Sequence, residues 1–180
     1  KGIKLGSEAK VGRETPGERN LNVEELQQRV VRYFCDRPSN FPSGRPYNCC
    51  ESVLLTLAEY LGIKSELIPK LGTAIGAGVS LNGLLCGSIS GVALAIGLKY
   101  GRESPEENPE PVWAMMDEYV RSFKERFRYV NCRQLTGLNL KTPEGLKEYF
   151  ARVHDYECTE RLKFAVAKAA QLLGKQARAQ

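Results

Sequence analysis

The sequence has no CxxC motif and no CxxCH motif, and it contains a single histidine among its 180 residues. The first absence argues against the usual thioredoxin and zinc-ribbon signatures, and the second argues against covalently attached c-type haem. The histidine, His154, lies in the charged segment RVHDYE, so we expect a solvated surface residue rather than a metal ligand. Six cysteines remain, at positions 35, 49, 50, 86, 132 and 158.

The alternating pattern of a half-buried strand is also missing, and apolar residues recur every three or four positions instead. We therefore predict an all-α fold, a single-domain helical bundle with a glycine-rich central helix. A chain of 180 residues and 20.0 kDa is long enough to bury a core without disulfides. Residues 1–21 are polar and without periodicity, so we expect an N-terminal arm followed by a helical domain over residues 22–180.

Helix starts are marked by residues that satisfy free backbone N–H groups. Two capping boxes are predicted, in which an Asn is followed three residues later by Glu. They are Asn22 with Glu25 and Asn48 with Glu51. Thr142 followed by Pro143 predicts a later start, and we expect the last helix to begin near Cys158.

Charge is absent from residues 71–98, a run of 28 residues that is long enough to cross a bilayer. Seven glycines make it a poor spanning helix, so we predict no membrane span but a turn followed by a buried helix that ends near Tyr100. Gly83, Gly87 and Gly91 recur every four residues and would line one helix face, beside Cys86. Another backbone or an inorganic cofactor can approach such a face closely.

The net charge of +5 is modest, and basic residues alternate with acidic ones, as in RSFKERFR. No aromatic and basic signature of RNA binding is present, so we predict no nucleic acid partner. A composition of 42% hydrophobic and 26% charged residues is typical of a soluble globular protein. No signal peptide is visible and the chain starts at Lys1, so we expect a cytoplasmic protein or one whose export signal has been removed.

Four of the cysteines lie where backbone N–H groups favour a thiolate. Cys49, Cys132 and Cys158 are predicted in first turns of helices, and Cys86 beside the glycine-lined face. Converging thiolates are one interpretation, and simple core packing of cysteine is the other. The spacings match neither ferredoxins nor zinc fingers.

Several separated segments resemble the bacterial and archaeal redox-active proteins named C_GCAxxG_C_C for their cysteine pattern. The resemblance covers about residues 45–174, in order and with sensible spacing. It rests on YNCCESVLLTLAEYLGI, LCGSISGVALAIGLKYG, FKERFRYVNCRQLTG, TPEGLKEYF and CTERLKFAVAKAAQLL.

Carried onto this chain, the resemblance implies four cysteine ligands. They are Cys49, Cys86, Cys132 and Cys158, and the signature glycines fall on Gly87 and Gly91. Two positions depart from the family: Ser88 stands where alanine is usual, and Cys50 replaces a small residue, so that Cys49 and Cys50 are both candidates for the first ligand. We favour Cys49 because Asn48 precedes it. Cys35 lies outside the match, and we expect a buried or free thiol there.

The resemblance extends to the iron–sulfur part of split-Soret cytochromes and thus implies an iron–sulfur cluster. We expect the 2Fe-2S type, with 4Fe-4S as the alternative, and electron transfer to a redox partner protein rather than a stand-alone enzyme. A homodimer is suggested by family analogy alone. Arg45 and Arg133 are close in sequence to ligands and are candidates to offset an anionic centre.

Two other functions stay open from the sequence. A thiol–disulfide oxidoreductase would attack with Cys49 and resolve with Cys50 or Cys86, although adjacent helical cysteines diverge too far for an unstrained bridge. A structural zinc-binding module would use the four cysteines, although such sites usually have close-spaced pairs.

Overall fold

The computed structural model describes residues 22–36 and 46–177, with side chains as far as residue 174. The predicted N-terminal arm and Arg45 lie outside the described residues. The elements in chain order are α1 (Val23–Cys35), α2 (Cys49–Tyr60), α3 (Lys70–Thr73), α4 (Gly76–Ser80), α5 (Gly87–Tyr100), α6 (Glu110–Phe127), α7 (Cys132–Thr136), α8 (Pro143–Glu148), a π-helix (Tyr149–Cys158) and α9 (Thr159–Ala177).

The prediction of an all-α fold is confirmed. Within the described residues, the one β-type pairing is an isolated antiparallel bridge between Leu85 and Asn131. In the same part of the chain, no helix combines the length and apolar character needed to cross a membrane. The uncharged run is instead divided among α3, α4 and α5.

Both predicted capping boxes are present. The Asn22 side chain accepts a hydrogen bond from the Glu25 N–H, and the Glu25 carboxylate accepts one from the Asn22 N–H. At the start of α2, Asn48 accepts from the N–H groups of Cys50 and Glu51 at 2.9 and 3.0 Å. The first turn of α2 is therefore fixed by local bonds.

The core is formed where α1, α2, α5, α6 and α9 pack together. Its largest fully buried side chains are Leu26, Val30, Val53, Leu54, Leu57, Val92, Ile96, Tyr119, Phe123, Val153, Leu162 and Val166. The apolar residues of α6 follow the three-to-four spacing that predicts a helix, and Tyr119 and Phe123 among them belong to this core. Most of the apolar burial that stabilises the fold comes from this layer of helices.

The central helix α5 approaches α2 closely because glycine removes side chains between them. A Cβ placed on Gly91 would lie 2.8 Å from the Val53 Cβ and 2.9 Å from the Cys50 carbonyl oxygen. The prediction that Gly83 shares this helix face was wrong: α5 begins at Gly87, and Gly83 has a φ of +75° in the preceding turn. A residue in that conformation cannot continue a right-handed helix.

The C-terminal third differs from the prediction at one point. Thr142 caps α8 through the Gly145 N–H, as predicted, and Pro143 occupies the first helical position. The backbone then stays helical through the π-helix and into α9, so Cys158 lies inside a continuous helical segment rather than at a helix start. No proline or glycine lies between Gly145 and Cys158 to interrupt the helix.

Two glycines of α5 give a matched test of this packing. We expect Gly91→Ala to lower the free energy of unfolding by about 1–3 kcal/mol, because the added methyl meets Val53 and the α2 backbone. Gly97→Ala, where nothing lies within 4 Å, should instead raise it by about 0.5–1 kcal/mol. Urea unfolding followed by circular dichroism measures both, and equal effects would contradict the close approach of α2 and α5.

Candidate functional site

The four predicted ligand cysteines are supplied by four separate elements. Cys49 is the first residue of α2, Cys86 the N-cap of α5, Cys132 the first residue of α7, and Cys158 the last residue of the π-helix. Cys86 and Cys132 are buried at 7% exposure each, and the other two are half-buried. All four are free thiols.

Electrostatic coupling shows that these thiols lie near one another. Burial raises the pKa of Cys49 well above its usual value, and the charges of Cys86, Cys158 and Cys132 raise it further. Burial, Cys86 and Cys158 raise the pKa of Cys132 to about 12. Burial raises the pKa of Cys158 to about 11, and Cys86 contributes. Every pair among the four is therefore coupled, as expected if they share one pocket.

The expectation that helix starts would favour thiolates was wrong for Cys49 and Cys132. One backbone N–H does lower the pKa of Cys49, but it belongs to Ala77 in a left-handed turn and not to the first turn of α2. Desolvation and repulsion from the neighbouring thiols are larger and act in the opposite direction. In the metal-free protein these thiols therefore hold their protons.

The isolated antiparallel bridge between Leu85 and Asn131 fixes the backbone of two of the cysteines, each of which follows one of the bridging residues. The Cys86 N–H donates to the Val130 carbonyl at 2.8 Å, and the Cys132 N–H donates to the Leu84 carbonyl at 2.6 Å. These backbone bonds join segments that are far apart in sequence. The relative positions of Cys86 and Cys132 thus depend on backbone rather than on flexible side chains.

The short segment α4 is not a regular right-handed helix but a left-handed turn, and this turn contacts two other parts of the site. Residues 77–81 all have positive φ, from 52° to 67°, and four of them are not glycine. The Ala77 N–H donates to the Cys49 Sγ at 3.4 Å. A Cβ on Gly78 would lie 2.6 Å from the Cys132 Cβ. A non-glycine residue in this region costs about 1–2 kcal/mol, and such strain concentrates at functional sites.

Gly87 provides the space in which α2 and α5 meet at the site. A Cβ there would lie 2.2 Å from the Cys49 Sγ and 2.9 Å from the Cys50 nitrogen. The hydroxyl of Ser88 lies 3.6 Å from the Cys86 Sγ, so the residue that departs from the family alanine contacts a sulfur. Gly91 lies one turn further along and contacts Val53 and the Cys50 backbone.

Cys49 and Cys50 point to different surroundings. Cys50 is fully buried and hydrogen-bonds to Ser90 of α5, and burial raises its pKa to about 11. Of the adjacent pair, Cys49 is the one coupled to Cys86, Cys132 and Cys158 together. The geometry therefore groups Cys49, rather than Cys50, with the other three.

Arg161 is a charged residue of the site that the sequence reasoning missed. Its side chain is buried, and it donates to the Leu135 carbonyl at 2.7 Å and to the Glu157 carboxylate at 2.6 Å. Its Nη1 lies 3.7 Å from the Cys158 Sγ, and its charge lowers the pKa of Cys158 and of Cys132, against the effect of burial. The spacing of three residues from Cys158 was the available signal.

The Nε atom of Arg161 is buried, and it has no hydrogen-bond partner among the described residues. Arg133, the arginine chosen from the sequence, is exposed and donates to the Asn139 side chain at 2.7 Å. Its role toward the four cysteines stays a prediction. Arg161 is therefore the better placed cation.

Tyr149 was also missed. Its phenol, in the first turn of the π-helix, hydrogen-bonds to Cys158. Burial raises the pKa of Tyr149 far above its usual value, and the charges of Cys158, Cys49 and Cys132 add to this. The phenol therefore stays protonated and donates its hydrogen bond toward the sulfur.

The spread of the sulfurs is wider than one metal ion requires. Throughout residues 22–36 and 46–177, no three of these cysteine sulfurs lie within 4.8 Å of one another, because the single group that compact is Cys35, His154 and Asp155. Four thiolates on one tetrahedral zinc ion would lie about 3.8 Å apart, given Zn–S bonds of about 2.3 Å. The four sulfurs of the described residues are therefore not arranged as a preformed site for one zinc ion.

Comparison with known proteins identifies one family. The family model described as "Putative redox-active protein (C_GCAxxG_C_C)" matches residues 47–172 and so covers all four cysteines. No curated protein matches the chain, and no solved structure does.

A bulkier residue at position 87 should damage this site. We expect Gly87→Ala to lower the free energy of unfolding of the reduced protein by about 1–3 kcal/mol and to expose the Cys49 thiol, because the new methyl overlaps its sulfur. Chemical unfolding and the number of fast-reacting thiols report these effects. Gly174→Ala, at a helical glycine with open space, is the control; wild-type behaviour of Gly87→Ala would contradict the contact.

Proposed function

Because the chain belongs to the C_GCAxxG_C_C family of redox-active proteins, we propose that it is an iron–sulfur protein that passes single electrons to a partner protein. The ligands in this proposal are Cys49, Cys86, Cys132 and Cys158. The observation that carries it is the coupling of four buried or half-buried thiols, each supplied by a different element.

The charge state of the thiols supports a bound cation. Charge on the neighbouring thiols raises the pKa of Cys49, Cys132 and Cys158, so ionised thiols at this site repel one another. Metal ions replace the protons and compensate the negative charge, so a site of this kind gains most from a metal. A nucleophilic cysteine instead needs a lowered pKa, and Cys49 has a raised one.

Hydrogen-bond donors beside the sulfurs also fit an anionic centre. Arg161 has a buried Nε without a partner among the described residues, and its Nη1 is close to Cys158. Ala77 supplies a backbone N–H to Cys49, and Tyr149 supplies a phenol to Cys158. Hydrogen bonds to the sulfurs, burial and local charge are the means by which a protein tunes such a site.

No three of the four cysteine sulfurs in the described residues lie within 4.8 Å of one another, whereas one zinc ion would hold all four about 3.8 Å apart. This separation favours a cluster over a single zinc ion. An iron–sulfur cluster supplies one-electron oxidation and reduction when bound. We propose the 2Fe-2S form on the family resemblance, with 4Fe-4S as the alternative that spectroscopy distinguishes.

The protein's own residues position and shield this centre. The backbone hydrogen bonds on either side of the bridge fix the position of Cys86 relative to Cys132. On the core side of these two cysteines, the buried side chains of α5 and α6 exclude water. Next to Cys86, Leu84 and Leu85 remain 54% and 38% exposed. That apolar surface is where we propose that a redox partner docks, since it adjoins a ligand.

Anaerobic purification followed by iron, sulfide and spectral analysis tests the proposal. We expect coloured protein with iron and acid-labile sulfide, and loss of both in Cys132→Ser, because serine lacks a soft thiolate. Cys50→Ala is the matched control and should retain the cluster. Colourless protein with one zinc ion would indicate a structural module, and metal-free protein that reduces disulfides would indicate an oxidoreductase.

The charge of Arg161 should influence the reduction potential. We expect Arg161→Gln to make the potential more negative, because the lost cation stabilised the more negative, reduced state. Arg133→Gln removes an exposed arginine from the sequence neighbourhood of Cys132 and should have the smaller effect. Redox titration followed by visible absorption measures both shifts. A larger shift in the Arg133 variant would restore Arg133 as the main counter-charge.

A further inference from the structure

Three metal-binding side chains meet at a second place, between the end of α1 and the π-helix. Cys35 is the last residue of α1, and His154 and Asp155 lie in the π-helix. Their ligand atoms all lie within 4.8 Å of one another, which is true of no other Cys, His, Asp or Glu group of this size in the described parts of the chain. None of the three is among the cysteines proposed to bind the cluster.

His154 is held firmly in this position, contrary to the expectation of a solvated surface residue. Its exposure is 8%, and its ring stacks on Phe34 with centroids 4.1 Å apart and an interplanar angle of 16°. Tyr149 and Phe150 pack their rings against its other sides. Because the ring is fixed by packing, its nitrogens are presented to Cys35 and Asp155 without a large loss of side-chain entropy.

The distance between the thiol and the carboxylate is close to that of a tetrahedral zinc site, whereas the imidazole and the carboxylate lie closer together and would have to separate. The Cys35 Sγ lies 3.8 Å from the Asp155 Oδ1. Bonds of about 2.3 Å to sulfur and about 2.1 Å to oxygen place two tetrahedral ligands about 3.6 Å apart. The His154 Nδ1 lies 2.5 Å from the same carboxylate oxygen, a hydrogen bond that metal binding would replace.

The charges at this position also favour a cation. Burial, then the carboxylates of Asp155 and Asp36, raise the pKa of Cys35 to about 11. These two carboxylates place negative charge beside the Cys35 sulfur, and a divalent ion bound there would compensate it. One sulfur, one imidazole nitrogen and one carboxylate oxygen form a mixed donor set that suits zinc.

We propose that Cys35, His154 and Asp155 form a second metal site, which binds a zinc ion and leaves its fourth position to water. The site joins the end of α1 to the helical segment that carries Tyr149 and Cys158. Zinc bound there stabilises the junction of these elements, since a ligand that binds the folded state stabilises it.

Zinc and cobalt binding to the full-length protein test this site. We expect wild-type protein to bind one more equivalent of zinc than Cys35→Ser, whether or not the four other cysteines carry a cluster. Cobalt should give a thiolate-to-metal absorption band that Cys35→Ser loses. Equal zinc content and equal cobalt spectra in the two proteins would overturn the proposal.

Asp155→Asn is a second variant that separates loss of zinc binding from loss of folding. The Asp155 side chain is 63% exposed, so its replacement should not disturb the core. We expect this variant to stay folded by circular dichroism and to bind zinc roughly tenfold more weakly or worse. Asp36→Asn changes the neighbouring carboxylate outside the group and should bind zinc nearly as well as wild type. Equal weakening in both variants would show a general charge effect and would overturn the site.

Discussion

The close approach of α2 and α5 is the contact on which the rest of the molecule depends. It is possible because Gly87 and Gly91 present no side chain toward α2. This contact puts Cys49 beside the start of α5, and it lets the two helices share one apolar core. The site and the core therefore have the same origin, and a substitution that separates these helices affects both.

Local chemistry explains why much of the fold could be predicted. The capping boxes at Asn22 and Asn48 and the Thr142–Pro143 start depend on residues within one helical turn, so the sequence contains the whole signal. The same holds for the apolar stripe of α6. The assignment of Cys49, Cys86, Cys132 and Cys158 to one group of ligands followed from the family resemblance, and it stays a prediction.

The errors arose where distant contacts decide the outcome. Gly83 fits the helical spacing but adopts a left-handed conformation in a turn that packs on Arg133. His154 lies among charged neighbours in sequence, yet its ring is buried against Phe34 of a different helix. The buried guanidinium of Arg161 is held beside Cys158 because the Leu135 carbonyl accepts its hydrogen bond. None of these partners is adjacent in the chain, so no local pattern reports them.

The order of the elements along the chain has a consequence for biogenesis. Cys49 leaves the ribosome long before Cys158. The backbone bridge cannot form until Asn131, the partner of Leu85, has also been synthesised. A nascent chain therefore exposes its early thiols for some time before the last helical segment can cover them. Delivery of the proposed metal centre is thus expected to be a late, post-translational event, with the early cysteines protected from oxidation until then.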